Sequence, residues 1–92
     1  MRLNQLEYLI SLHRHGTFSK AAEALYVSQP AISVAIRELE DELGFPLLIR
    51  GHKGVEFTPE GLQVLEQARL VLREVANIRA IRPIQDAVRG TC

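Results

Sequence analysis

The chain has one cysteine in 92 residues, Cys92, so it cannot close an internal disulfide. That excludes a disulfide-stapled secreted domain and points to a reducing, cytoplasmic setting, with Cys92 a terminal bystander. Long apolar runs are also missing. The longest are a few residues, far short of the roughly 20 that cross a bilayer, and no basic segment followed by an apolar stretch opens the chain. A soluble, unprocessed protein is expected. Charge of one sign is not in excess either, since eleven Lys and Arg balance eleven Asp and Glu. A neutral total argues against a nucleic-acid partner, which usually leaves a basic surplus. The distribution tells more: residues 1–37 carry Arg2, Arg14, Lys20 and Arg37 against Glu7 and Glu23, whereas Glu38, Glu40, Asp41 and Glu42 lie together. A polarised surface fits inside a neutral sum.

Catalytic signatures are absent as well. There is no glycine-rich phosphate loop, nucleophile motif or convincing carboxylate pair. His13 and His15 stand two apart on a helix, point to different sides and lack a third ligand at useful spacing, so no metal site is read. His13 reads as a core-edge residue and His15 as a helix-end cation or loop residue; the four acids of 38–42 read as solvated charges. No catalytic residue, metal or cofactor is expected, and the chain is not read as an enzyme.

What is present is helical periodicity. Leu3, Leu6, Leu9, Ile10 and His13 recur at three and four residues, predicting an amphipathic helix over 3–14 that ends at Gly16. Thr17 and Ser19 are candidate caps for a short helix over 19–25, whose Ala21, Ala22 and Leu25 let another helix approach closely. Tyr26 and Val27 make a turn. Ser28 caps a third helix that runs to Leu43 and closes at Gly44, with Pro30 in the first turn, where no intrahelical bond is lost. "PLLIR" and "VEFT" flank "GHKG" and read as a hairpin. Thr58, Pro59 and Glu60 open a long helix to about Ile81, which Pro83 ends or kinks.

The third helix has two unlike faces. Ile32, Ile36, Leu39 and Leu43 fall within roughly a 60° sector and must be buried. Pro30, Ser33, Val34, Arg37 and Asp41 collect opposite. Short side chains there allow a close backbone approach to a surface, and unpaired amides at the helix start attract phosphate. A short helix, a three-residue turn and a second helix with polar residues at its start fit helix-turn-helix geometry, in which the second helix reads base edges.

Five segments in combination, "GTFSKAAEAL", "VSQPAIS", "IRELEDELG", "PLLIR" and "TPEG", give the chain its resemblance to the N-terminal DNA-binding domain of LysR-type transcriptional regulators. It covers residues 1 to about 80. The resemblance implies a mostly α fold: a winged helix-turn-helix of three helices and a short β-hairpin wing over 1–57, a linker and dimerisation helix over 58–82, and a hinge over 83–92 toward an effector-binding domain. It implies backbone contacts by Ser19 and Lys20, groove and backbone contacts by Gln29, Pro30, Ser33 and Arg37 beside the capping Ser28, and a wing carrying Arg50, His52 and Lys53. The chain departs from the family at Val34 and Ala35, where relatives are often polar or basic. Val34 lies on the outward face, where an apolar contact with a thymine methyl could tune sequence preference. Arg37 has an intrahelical pair with Asp41 as its competing role.

On the long helix, Val64, Ala68, Val71, Val75 and Ile78 form a heptad-like seam that Leu62, Leu65 and Leu72 widen. One small domain cannot cover all of it. Part is expected to pack on the helix-turn-helix and the rest on a second copy, so that two reading helices address a pseudo-palindromic operator in double-stranded DNA. The resemblance agrees on a homodimer, allows a higher oligomer in a full-length protein, and places small-molecule effector binding in a larger second domain. The chain is therefore expected to be a DNA-binding fragment. Two alternatives remain: a winged-helix module for protein interaction or dimerisation without DNA binding, and the similar N-terminal module of molybdate-responsive regulators.

Overall fold

A computed structural model describes residues 1–50 and 54–84. The described residues form four helices, α1 (Leu3–His15), α2 (Phe18–Leu25), α3 (Gln29–Leu43) and α4 (Pro59–Arg79). Local chemistry sets most of their ends. Thr17 Oγ1 accepts the Lys20 amide at 3.0 Å, Ser28 Oγ that of Ala31 at 3.2 Å, and Thr58 Oγ1 that of Gly61 at 2.8 Å. Each satisfies an amide that the first helical turn leaves without a partner. Gly16 and Gly44 close α1 and α3 in the left-handed region, at φ 83° and 86°.

Two boundaries differ from expectation. Thr17 alone caps α2, which starts at Phe18 and takes Ser19 into its first turn. α4 stops at Arg79 rather than Ile81. Pro83 disfavours a helical Arg82, and the Arg82 guanidinium turns back to donate to the carbonyls of Arg79 and Ala80 at 3.3 and 3.1 Å.

Among the described residues the buried side chains form one cluster. Leu6, Leu9 and Leu12 of α1, Ile32, Ile36 and Leu39 of α3, Leu47 and Leu48 of the following segment, and Leu65 and Ala68 of α4 meet around Ala21 and Ala22. Those two alanines are buried, which lets the short α2 lie close against its neighbours. Leu3, expected on the inner face of α1, is 43% exposed, and Leu43, expected to be buried, is half-buried at the end of α3. α4 uses Gly61, Leu65 and Ala68 to dock and then runs on, giving principal extents of 63 × 27 × 18 Å.

The expected hairpin is reduced, among the described residues, to one antiparallel bridge, Leu48 with Phe57. The donors of a longer ladder are engaged elsewhere. The Leu47 and Leu48 amides donate to Glu40 Oε2 at 2.7 and 3.3 Å, and the Val55 amide to the Gly16 carbonyl at 2.8 Å. The Ile49 amide donates to Glu56 O at 2.8 Å and that of Thr58 to Leu47 O at 3.0 Å, which holds the two arms together. Among the described residues no helix is long and apolar enough to cross a membrane.

Candidate nucleic-acid interface

The turn between α2 and α3 is tight because Tyr26 takes a left-handed conformation, φ 57° and ψ 43°, and the Val27 amide donates back to Ala22 O at 3.1 Å. α3 is thereby launched across α2 with its inner side, Ile32, Ile36 and Leu39, fully buried. The opposite side is free. Gln29, Pro30 and Arg37 are exposed, Val34 is 55% exposed and Ser33 half-buried. Ala35, by contrast, is turned inward and buried. Arg37 and Asp41 make no ion pair with each other, and among the described residues the guanidinium has no carboxylate partner.

A shallow surface concavity joins these residues to a separate part of the chain. Gln29, Pro30, Ser33, Val34 and Arg37 line it together with Arg50 and Phe18. Phe18 escaped the sequence reading, although it directly precedes the "SKAA" segment; as the first residue of α2 it packs partly on the core and lines the concavity. Ser19 and Lys20 are exposed on the first turn of α2, outside that concavity. Ser28 is exposed too, but its hydroxyl already accepts the Ala31 amide. His52 and Lys53, together with residues 85–92 of the expected hinge, lie outside the described residues.

The acidic stretch of α3 is the clearest correction to the sequence reading. Glu38 and Glu42 are exposed as expected but carry ion pairs, whereas Glu40 is largely withdrawn from solvent and bonded to the following segment. Glu40 Oε1 receives Arg50 Nη2 at 2.6 Å, while its Oε2 accepts the two amides of Leu47 and Leu48. Glu38 pairs with Arg2 at 2.8 Å and accepts Gln5 Nε2 at 3.4 Å, and Glu42 meets the N-terminal ammonium at 2.9 Å. Three negative charges that would repel a polyanion are therefore balanced by cations of the same chain. These links join α3 to segments distant in sequence, which helical periodicity cannot display.

His13 sits at the rim of the core, as its spacing suggested. Its ring meets Phe57 edge-on with centroids 5.4 Å apart, and Arg69 Nη2 donates to Nδ1 at 3.2 Å. On α4 the expected seam divides. Ala68 is 1% exposed and belongs to the core of its own chain, where it lies at the bottom of an apolar groove rather than on an open face. Val64 and Val75 are half-buried, while Val71 and Ile78 are 41% and 66% exposed. That groove runs beside them, between Met1, Leu43, Phe45, Val64 and Val71.

Comparison with known proteins follows the same lines. Residues 3–62 match the family of bacterial regulatory helix-turn-helix proteins, lysR family. The chain is 53% identical over 91 residues to a hydrogen peroxide-inducible genes activator of Dickeya chrysanthemi, covering 98% of the chain and 30% of that protein. It is 51% identical over 79 residues to the DNA-binding transcriptional dual regulator OxyR of Escherichia coli strain K12, covering 86% of the chain and 26% of that protein. The chain thus spans less than a third of the length of these curated relatives. Among solved structures, full-length OxyR from Pseudomonas aeruginosa superposes with a TM-score of 0.82 at 40% identity, over 86% of the chain and 26% of that structure. The complex of the BenM DNA-binding domain with benA site 1 DNA gives 0.83 at 38% identity, over 87% of the chain and 93% of that structure.

Proposed function

From the chain's place as a member of the lysR family of bacterial regulatory helix-turn-helix proteins, we propose that it binds double-stranded DNA sequence-specifically as the DNA-binding part of a transcriptional regulator. α3 enters the major groove by its N-terminal half. Gln29, Pro30, Ser33, Val34 and Arg37 face base edges or phosphates, Ser19 and Lys20 approach the backbone from the start of α2, and Arg50 reaches it from the wing. Relatives of regulatory function support this reading, as does the BenM domain solved on DNA.

One observation carries it: the outward half of α3 offers short and polar side chains without partners among the described residues, while three of the four acids that follow, Glu38, Glu40 and Glu42, are paired with Arg2, Arg50 and the N-terminus. A purely solvated face needs no such balancing. Close approach to a polyanion does, because each uncompensated carboxylate within a Debye length, roughly 8–10 Å, repels phosphate.

α4 supplies the second half of the reading, a homodimer in which Val71, Val75 and Ile78 meet a second copy and Val64 borders the groove. Two reading helices then address a pseudo-palindromic site. Residues 58–82 act as the linker helix, and effector binding belongs to a larger regulator rather than to this domain.

The test is selection of bound sequences from a random duplex pool, followed by affinity measurement. Wild type should return a single consensus. Gln29→Ala should relax preference at one base pair and cost about 1–3 kcal/mol there, the worth of a bidentate contact with adenine. Val34→Arg should shift the consensus. A pool that emerges unenriched at low salt would refute sequence-specific binding.

A further inference from the structure

Successive residues of a helix turn by about 100°, so Glu38 and Glu40 project roughly 160° apart, on opposite flanks of the outward ridge formed by Pro30 and Val34. Each meets an arginine from a different segment. On one flank Glu40 pairs with Arg50; on the other Glu38 pairs with Arg2. The concavity on the Arg50 side and a second one, bordered by Arg2, Asn4, Tyr8 and Glu38, share Pro30 and Val34 as their common wall. The reading ridge therefore stands between two arginines.

We propose that Arg2 is a further DNA-backbone contact, on the phosphate ridge across the major groove from the one that Arg50 addresses. The inference rests on the double-stranded DNA reading above. The major groove is about 12 Å wide, so a helix inserted in it has a sugar-phosphate ridge on either side. Contacts from both flanks fix the rotation of the helix about its own axis, which one flank alone leaves free.

Arg2 is built for such a role rather than left to wander at the chain's start. Its amide donates to Gln5 Oε1 at 3.0 Å, and Gln5, 4% exposed, also donates through Nε2 to Glu38. Main chain and side chain of Arg2 are thus tied to one buried amide and one carboxylate. The side chain is nevertheless 65% exposed. A guanidinium has five N–H donors, and the bond to Glu38 leaves others for phosphate oxygens. Holding the side chain in advance reduces the ordering entropy lost on binding.

The experiment compares the salt dependence of duplex binding for wild type, Arg2→Gln, Arg2→Lys and the double variant Arg2→Gln with Glu38→Gln. One lost phosphate contact lowers the slope of log K against log salt by about 0.9 per protomer. For Arg2→Gln, affinity should then fall about 3-fold less than for wild type, per protomer, between 50 and 200 mM salt. The preferred sequence should not change. Arg2→Lys should restore the slope, and the double variant should keep the reduced one. A wild-type slope in Arg2→Gln would overturn the proposal, as would a double variant that regains wild-type slope and affinity, because Arg2 would then act only by masking Glu38. Wild-type protein that fails to bind duplex at all would instead overturn the DNA reading itself.

Discussion

Among the described residues, Tyr26 is the one whose backbone conformation its side chain least favours. It adopts φ 57° with a Cβ present, in a region where glycine meets no such penalty, and its ring is 95% exposed and contributes no burial. Tyr26→Gly should therefore stabilise the fold by about 1 kcal/mol, seen as a higher midpoint of urea denaturation with an unchanged slope. At this scale the sequence was informative about direction and silent about partnership. Helical spacing placed Val34 and Arg37 outward and Ile32 and Ile36 inward, because a face depends only on the turn per residue. It could not reveal that Glu40 holds Arg50 or that Glu38 holds Arg2, since those pairs are 10 and 36 positions apart and exist only once the segments pack.

The joint between the segment 46–50 and the start of α4 depends on Gly61. Its place in "TPEG" identified a helix start, but not why the residue has no side chain. A Cβ at that position would overlap the Leu47 carbonyl, against which the first turn of α4 is pressed. Thr58 bonds to the same stretch twice, its amide to Leu47 O at 3.0 Å and its hydroxyl to Pro46 O at 2.8 Å. Gly61→Ala should therefore destabilise the protein by about 2 kcal/mol despite alanine's better helix propensity, lowering Tm by roughly 10 °C in a domain of this size. Helices were legible because caps and period are local. The pairing of the arms around Leu48 and Phe57 was legible as a turn between β-prone segments, but not that the Leu47, Leu48 and Val55 amides go instead to Glu40 and Gly16, neither of which a strand pattern contains.

Over the whole molecule, α4 is both a core helix and a projecting arm. Its first half buries Leu65 and Ala68, and its second half leaves Ile78 in solvent. The two ends predict different outcomes for the same chemical change. Ala68→Glu places a charge in the core and should unfold the domain. Ile78→Glu should leave the melting of the monomer fold intact while converting a dimer to monomer in equilibrium sedimentation at the same micromolar concentration. Binding to a two-half-site operator should then weaken by about 100-fold or more, as the second contact ceases to be intramolecular, with single half-site affinity unchanged. A heptad-like seam showed that α4 has too much apolar surface for one small domain; the division of that seam between core and solvent depends on where the helix leaves the bundle.

The abutment of Gly61 on Leu47 gives α4 no slack at its root. A torque applied at the distal end of that rod has no loose hinge there to dissipate it, and Leu47 lies three residues from Arg50 on the same short strap. The strap is also tied to α3 through Glu40, which holds the Leu47 and Leu48 amides and the Arg50 guanidinium, so the seat of the rod and the basic side chain beside the α3 ridge share one anchor.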